Sequence, residues 1–325
     1  MRQRSSREAR AAAVDLPVSV HSHYLETPVA RRVRMILDEA RRERCGYVLG
    51  ARSGAGKTTE VEEYCALDPI VRLHDGTTRL PVIRGAPGAT VKALIRSIAQ
   101  CFGTVPSGSQ DLQEFWLAGE IVRCGTELLL IDDGHGCSAA DLLFIKRLVD
   151  EVEHRRRARL GFVFLCAAAG NSMPLQEIIN RPTLQWVQFR GRMSPTRPWC
   201  YIASLSGAEV EQVLGGYESL VLKEHFPDLQ LVRWAKRMHR HLIHPFFDGE
   251  GQERVTMKHL RILTDEVLRL LVTQGLSDIP DDGALIDLAV VALLGSPATQ
   301  VIDDDPGPAP VLEEDSPLAS VVEVG

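Results

Sequence analysis

The sequence has no Cys-x-x-Cys pair; its seven cysteines, at positions 45, 65, 101, 124, 137, 166 and 200, are scattered and odd in number. Several lie in apolar runs, where reduced cysteine behaves as a small hydrophobe. This usage excludes a zinc ribbon or a disulfide frame and predicts a reducing, cytoplasmic setting. No apolar run approaches the roughly 20 residues that a membrane helix requires; the stretch 284–294 is too short and contains Asp287. Residues 1–13 are rich in Arg, Ser and Ala but hold no apolar segment. That excludes a secretory signal and predicts a disordered basic leader over residues 1–20. Lys and Arg are absent from position 278 onward, where 11 acidic residues fall. With those set aside, 37 basic residues face 32 acidic ones, so the net charge of −6 hides a body of +5. A mildly basic body with an acidic end is compatible with nucleic acid without demanding it. Aromatic residues make up only 6% and do not interleave with basic ones, so nothing suggests stacking of a single strand.

What is present centres on residues 45–59. A short apolar run gives way to Ala51, Arg52, Ser53, Gly54, Ala55, Gly56, Lys57, Thr58 and Thr59, and then to a helix-compatible segment. Residues 51–58 fit the phosphate-loop pattern, with alanine in the first position. Gly54 and Gly56 permit backbone conformations that turn consecutive N–H groups toward a phosphate, and the helix that follows presents its N-terminus to the same anion. In that pattern Lys57 reaches the β- and γ-phosphates of ATP and the Thr58 hydroxyl binds Mg²⁺.

Strand and helix patterns alternate around this loop. Helical periods are expected over 28–44, 57–65, 91–102, 112–124 and 141–154, and strands over 80–84, 127–133, 160–166 and 183–189. Continuous apolar runs separated by helices predict an α/β fold with a parallel sheet covered on both faces. Beyond position 206 the strand signal stops, and helices are expected over 208–214, 229–241 and 257–274. The expected organisation is a leader (1–20), a P-loop domain (21–200), a small helical domain (201–294) and an acidic, disordered tail (295–325).

The apolar strand over 128–131 ends in Asp132 and Asp133, the Walker B pattern. Asp132 is the expected Mg²⁺ partner of Thr58. Asp133 stands where a glutamate usually polarises the attacking water, one methylene short. The same pair also reads as a helix cap after a buried strand. Asn171, after the fourth strand pattern, reads either as a γ-phosphate contact or as a cap for the next helix. Arg181 reads either as a solvated arginine or as one that reaches a neighbouring subunit's nucleotide.

The chain resembles the AAA+ ATPases of DNA transposition, the TniB family with its TnsC and Mu B relatives. The likeness rests on Thr27-Pro28 before the loop and on Leu80-Pro-Val-Ile with its following turn and helix. It rests further on Asp132, Asp133 and His135 in the place of a D-E-x-H motif, and on the helix over 257–275. It implies an AAA+ ATPase that uses ATP and Mg²⁺ and assembles as a ring or filament on double-stranded DNA. It further implies that the protein recruits or activates a transposase, with a target-selection protein as a possible further partner. Asp133 in place of glutamate leaves the rate of turnover open, and no acidic triad of a DDE nuclease is apparent. Lys92 and Arg96, one helical turn apart, are the candidate DNA contacts. The basic run at 155–159 reads as a solvated helix end, where cations favour the C-terminal dipole, and the run at 236–241 reads equally as a basic helix face or a solvated one.

Overall fold

The computed structural model describes residues 20, 23–68, 71–72, 78–105, 107–156, 159–168, 173–243 and 255–294. The leader before Val20 and the tail beyond Leu294 lie outside the described residues, as does Asn171.

Helix α1 (Pro28–Glu43) begins where Thr27 accepts the Ala30 N–H at 3.1 Å and Pro28 fills the first helical position. It buries Val29, Val33, Ile36, Leu37 and Ala40 and stops at Arg44, whose backbone is left-handed (φ 55°). Strand β1 (Gly46–Ala51) then enters the sheet, and α2 (Lys57–Leu67) leaves it. A short antiparallel ribbon, β2 (Val71–Arg72) with β3 (Thr78–Arg79), precedes β4 (Val82–Gly85). Helices α3 (Val91–Ala99) and α4 (Gln110–Arg123) lead to β5 (Leu128–Ile131), then α5 (Ala139–Arg156) and β6 (Gly161–Ala167).

The main sheet has the order β4-β5-β6-β1-β7, with β7 at Trp199–Ile202, and every pairing in it is parallel. Its side chains alternate between two cores. Tyr47, Leu49, Leu128, Leu130, Val163 and Leu165 face one; Val48, Leu129, Ile131, Phe162 and Phe164 face the other. Burial on both faces is why these strands read as unbroken apolar runs. The second core takes α3, α4 and α5, while the first takes α1, α2 and the C-terminal helices. Those helices are α8 (Gly207–Tyr217), α9 (Ala235–Leu242), α10 (Met257–Gln274) and α11 (Ala284–Leu294). No described helix is long and apolar enough to cross a membrane.

One expected strand is a helix. Residues 183–189 fall in α7 (Leu184–Arg190), which follows α6 (Pro174–Ile179). Trp186 and Phe189, three residues apart, point inward, whereas Leu184 and Val187 are 73% and 50% exposed. Two inward aromatics one turn apart suit a helix; in a strand they would lie on opposite faces. The fifth strand is β7, between Pro198 and the segment leading to α8, and it pairs with β1 from Val48↔Trp199 to Ala51↔Ile202. With four residues beside Pro198 and Arg197, it carries too little pattern to be read from sequence. Because β7 runs through position 200, the α/β part extends at least to Ile202.

Candidate phosphate-binding site

The loop between β1 and α2 is shaped by two glycines in the left-handed region, Gly54 (φ 77°) and Gly56 (φ 98°). Such angles cost an L side chain free energy and cost glycine almost none. Gly56 caps α2 without a side chain, so the first N–H groups of the helix are not consumed by a capping oxygen. Lys57 folds back along the loop, its Nζ donating to the carbonyls of Ala51 at 2.8 Å and Arg52 at 3.1 Å. Burial pushes its ammonium below the ordinary lysine value, against the pull of Cys166, Asp132 and Asp133. A desolvated cation held by neutral carbonyls, beside uncapped helix amides, is a donor set that fits a polyphosphate.

The acidic partner comes from the tip of β5. The Asp132 amide still donates to Gly85 on β4 at 2.8 Å, so Asp132 continues the strand. Its Oδ1 accepts the Asp133 N–H at 3.0 Å. Asp133 turns left-handed (φ 49°) and is exposed, opening a short 3-10 turn, Gly134–Gly136. Aspartate and asparagine tolerate this region better than other side chains that carry a Cβ, which supplies a local reason for aspartate at this place. Thr58 is exposed on the first turn of α2, which leaves β1 at the same end of the parallel sheet where β5 ends. One hydroxyl and one carboxylate are hard oxygen donors of the kind Mg²⁺ takes alongside phosphate and water. Among the described residues no cluster of three or more His, Cys, Asp or Glu offers an all-protein metal cage.

Of the other expected site residues, Asn171 lies outside the described residues, and Arg181, Lys92 and Arg96 show no hydrogen bond to the loop among the described residues. Arg181, between α6 and α7, is exposed; its carbonyl accepts from Arg190 at 3.1 Å. Lys92 and Arg96 share the exposed face of α3, opposite the buried Leu94, Ile95 and Ile98, on the helix that follows the edge strand β4.

Two features escaped the sequence. A small, mostly apolar cleft beside Arg52 and Ala55 is lined by Val29 of α1 and by residues 202–205 and 255–257. It gathers one surface from three distant parts of the chain. The N-terminus of α10 also lies directly on the loop: the Lys258 N–H donates to the Gly54 carbonyl at 3.0 Å. A Cβ on Gly54 would stand 2.7 Å from the Lys258 Cβ. The only local signal was Thr256, which caps α10 by accepting from the His259 N–H. A cap marks where a helix starts, not what it touches.

Searches against protein-family models and curated proteins return no match. Solved structures do match. The ORC2 protein of Aeropyrum pernix, solved as ADPNP and ADP complexes, aligns with a TM-score of 0.54 at 14% identity, covering 85% of this chain and 68% of that one. Cdc6p from Pyrobaculum aerophilum aligns with a TM-score of 0.52 at 14% identity, over 77% of this chain and 62% of that one. The present chain thus spans about two thirds of each. The fold is that of the AAA+ P-loop ATPases, a five-stranded parallel sheet with flanking helices.

Proposed function

We propose that the chain is an ATP-dependent, DNA-binding AAA+ regulator of transposition, of the TniB and TnsC kind. In this reading it assembles as a ring or filament on double-stranded target DNA in the cytoplasm and recruits or activates a transposase. The carrying observation is the phosphate loop with its desolvated Lys57 beside the acid-tipped β5. The transposition-specific part rests on Thr27-Pro28, the Asp132–His135 segment and the late helix α10.

When bound, Mg·ATP supplies the polyphosphate and the cation that offsets its charge. Loop residues Ala51 to Gly56 offer main-chain N–H groups, Lys57 its ammonium, and Thr58 and Asp132 their oxygens to the cation. Thr59 continues the first turn of α2. Asp133 holds and polarises a water at the open end of the loop, and Asn171, after β6, is assigned to the γ-phosphate side. Arg181, exposed on its loop, is assigned to a neighbouring subunit's site. The helical part after β7 acts as a lid, the leader and the acidic tail flanking the two folded parts.

The test is duplex DNA binding as a function of salt. Each phosphate contact contributes about 0.9 to the slope of log K against log salt, so reversing the charge of both Lys92 and Arg96 lowers the slope by about 1.8 if each neutralises one phosphate. Unchanged affinity and slope would move the DNA face elsewhere. A second reading, a nucleotide-gated scaffold with little turnover, is favoured by the short, left-handed Asp133. Steady-state ATPase with and without DNA separates the two: DNA-stimulated turnover supports the regulator, and tight binding without turnover supports the scaffold.

A further inference from the structure

Alternate residues of β6 turn their amides toward β5. Gly161 N–H donates to the Glu127 carbonyl at 3.0 Å, and the register pairs Leu128 with Gly161 and Ile131 with Phe164. On the other side, Ala168 N–H donates to Ala51 of β1 at 3.0 Å. By this alternation Ala167 faces β5, but β5 has already ended. The chain has left the sheet through the left-handed Asp133 and closed the turn Gly134–Gly136. The Ala167 amide is taken instead by the ring of His135, whose Nδ1 lies 3.3 Å away. An imidazole thus stands where the next β5 carbonyl would have been.

The same turn is pressed against β6 from below. A Cβ on Gly134 would lie 3.0 Å from the Phe164 Cβ and 3.3 Å from the Cys166 Sγ. The turn that carries Asp132 and Asp133 is therefore held at two points, by the close approach of Gly134 and by the ring of His135. Ala167 is the last residue of β6, next to the β1 end from which the phosphate loop departs.

We propose that His135 is a positioning residue for the reaction. Its Nδ1, as a hydrogen-bond acceptor, holds the Asp132–Asp133 turn in register with the end of β6 and so aims the Asp133 carboxylate. The Nδ1 that accepts carries no proton, so the ring is the Nε2–H tautomer. The role rests on the reading of Asp133 as the residue that orients water.

The test uses the full chain with duplex DNA and measures nucleotide Kd, ATPase kcat and exchange of the Ala167 amide. His135→Ala is expected to lower kcat by about 10- to 100-fold, the range seen when a group that orients a reacting side chain is removed. Nucleotide Kd should stay within about twofold, and Ala167 exchange should accelerate at least about tenfold. His135→Asn places an acceptor oxygen at the same number of bonds from the backbone as Nδ1 and is expected to restore both kcat and protection. His135→Gln, with its acceptor one bond farther, is expected to restore neither. The proposal fails if Asn behaves like Ala, if Gln rescues as well as Asn, or if Kd weakens in step with kcat. Asp133→Asn is measured alongside. If it leaves turnover intact, the reading of Asp133 falls and takes the proposal with it. If it abolishes turnover while His135→Ala does not, the proposal alone falls. In a chain with little turnover, unchanged Ala167 exchange in His135→Ala overturns it.

Discussion

Replacing Gly54 by alanine probes the contact between the phosphate loop and α10 directly. Two costs arise. The backbone at φ 77° is left-handed, which costs an L residue about 1–2 kcal/mol. The added methyl also falls 2.7 Å from the Lys258 Cβ, closer than carbon atoms pack, and neither partner is the free end of a flexible side chain. Relieving such overpacking costs about another 1–3 kcal/mol. Gly103 isolates the first cost, because it has φ 72° and, among the described residues, nothing within 4 Å of its added Cβ. In urea melts Gly103→Ala should lose about 1–2 kcal/mol and Gly54→Ala about 2–5 kcal/mol. Gly54→Ala should also weaken nucleotide binding, since the loop or the start of α10 must shift. Pairing Gly54→Ala with Lys258→Gly removes the collision and should recover much of the difference, whereas Lys258→Ala, which keeps its Cβ, should not. If Gly54→Ala proves no worse than Gly103→Ala, the start of α10 does not rest on the loop, and the placement of Lys258 is wrong.

Three further outcomes are expected. Lys57→Met should abolish nucleotide binding while leaving the nucleotide-free chain as stable as before or more so. Burial lowers the pKa of this base, so its charge opposes folding at neutral pH; a variant that loses stability would contradict this sign. Partial burial of Glu127 raises its pKa, yet Arg41 Nε at 2.7 Å and Arg44 at 3.0 Å hold it below the ordinary carboxylate value. Its contribution to stability is therefore complete above the ordinary value of 4.5 and is lost as pH falls through the lower, folded one. Glu127→Gln should lower the urea midpoint at pH 7 and narrow the gap to wild type as the pH drops below that range. Asp133→Glu places a longer side chain in the left-handed region and should cost about 1 kcal/mol of stability. A large gain in its ATPase would favour the scaffold reading, and unchanged stability would argue against the left-handed turn.

The sequence alone determined whatever depends on neighbouring residues. Helices α1, α3 and α10 follow from a cap and a 3.6-residue apolar period, and β1, β5 and β6 from unbroken apolar runs. The phosphate loop and the paired acids are contiguous motifs at strand ends, so their residues could be named before any fold was known. Tertiary structure decided the rest. Residues 183–189 have apolar side chains compatible with strand or helix, and only the core under Trp186 and Phe189 makes them a helix. Strand β7 exists because β1 offers an open edge, not because four residues beside Pro198 announce a strand. The seat of Lys258 on Gly54, the cleft by Val29 and the grip of His135 on Ala167 each join segments remote in sequence. Local propensity carries no information about which distant surface will meet another, because that pairing is selected by burial and hydrogen-bond satisfaction across the whole fold.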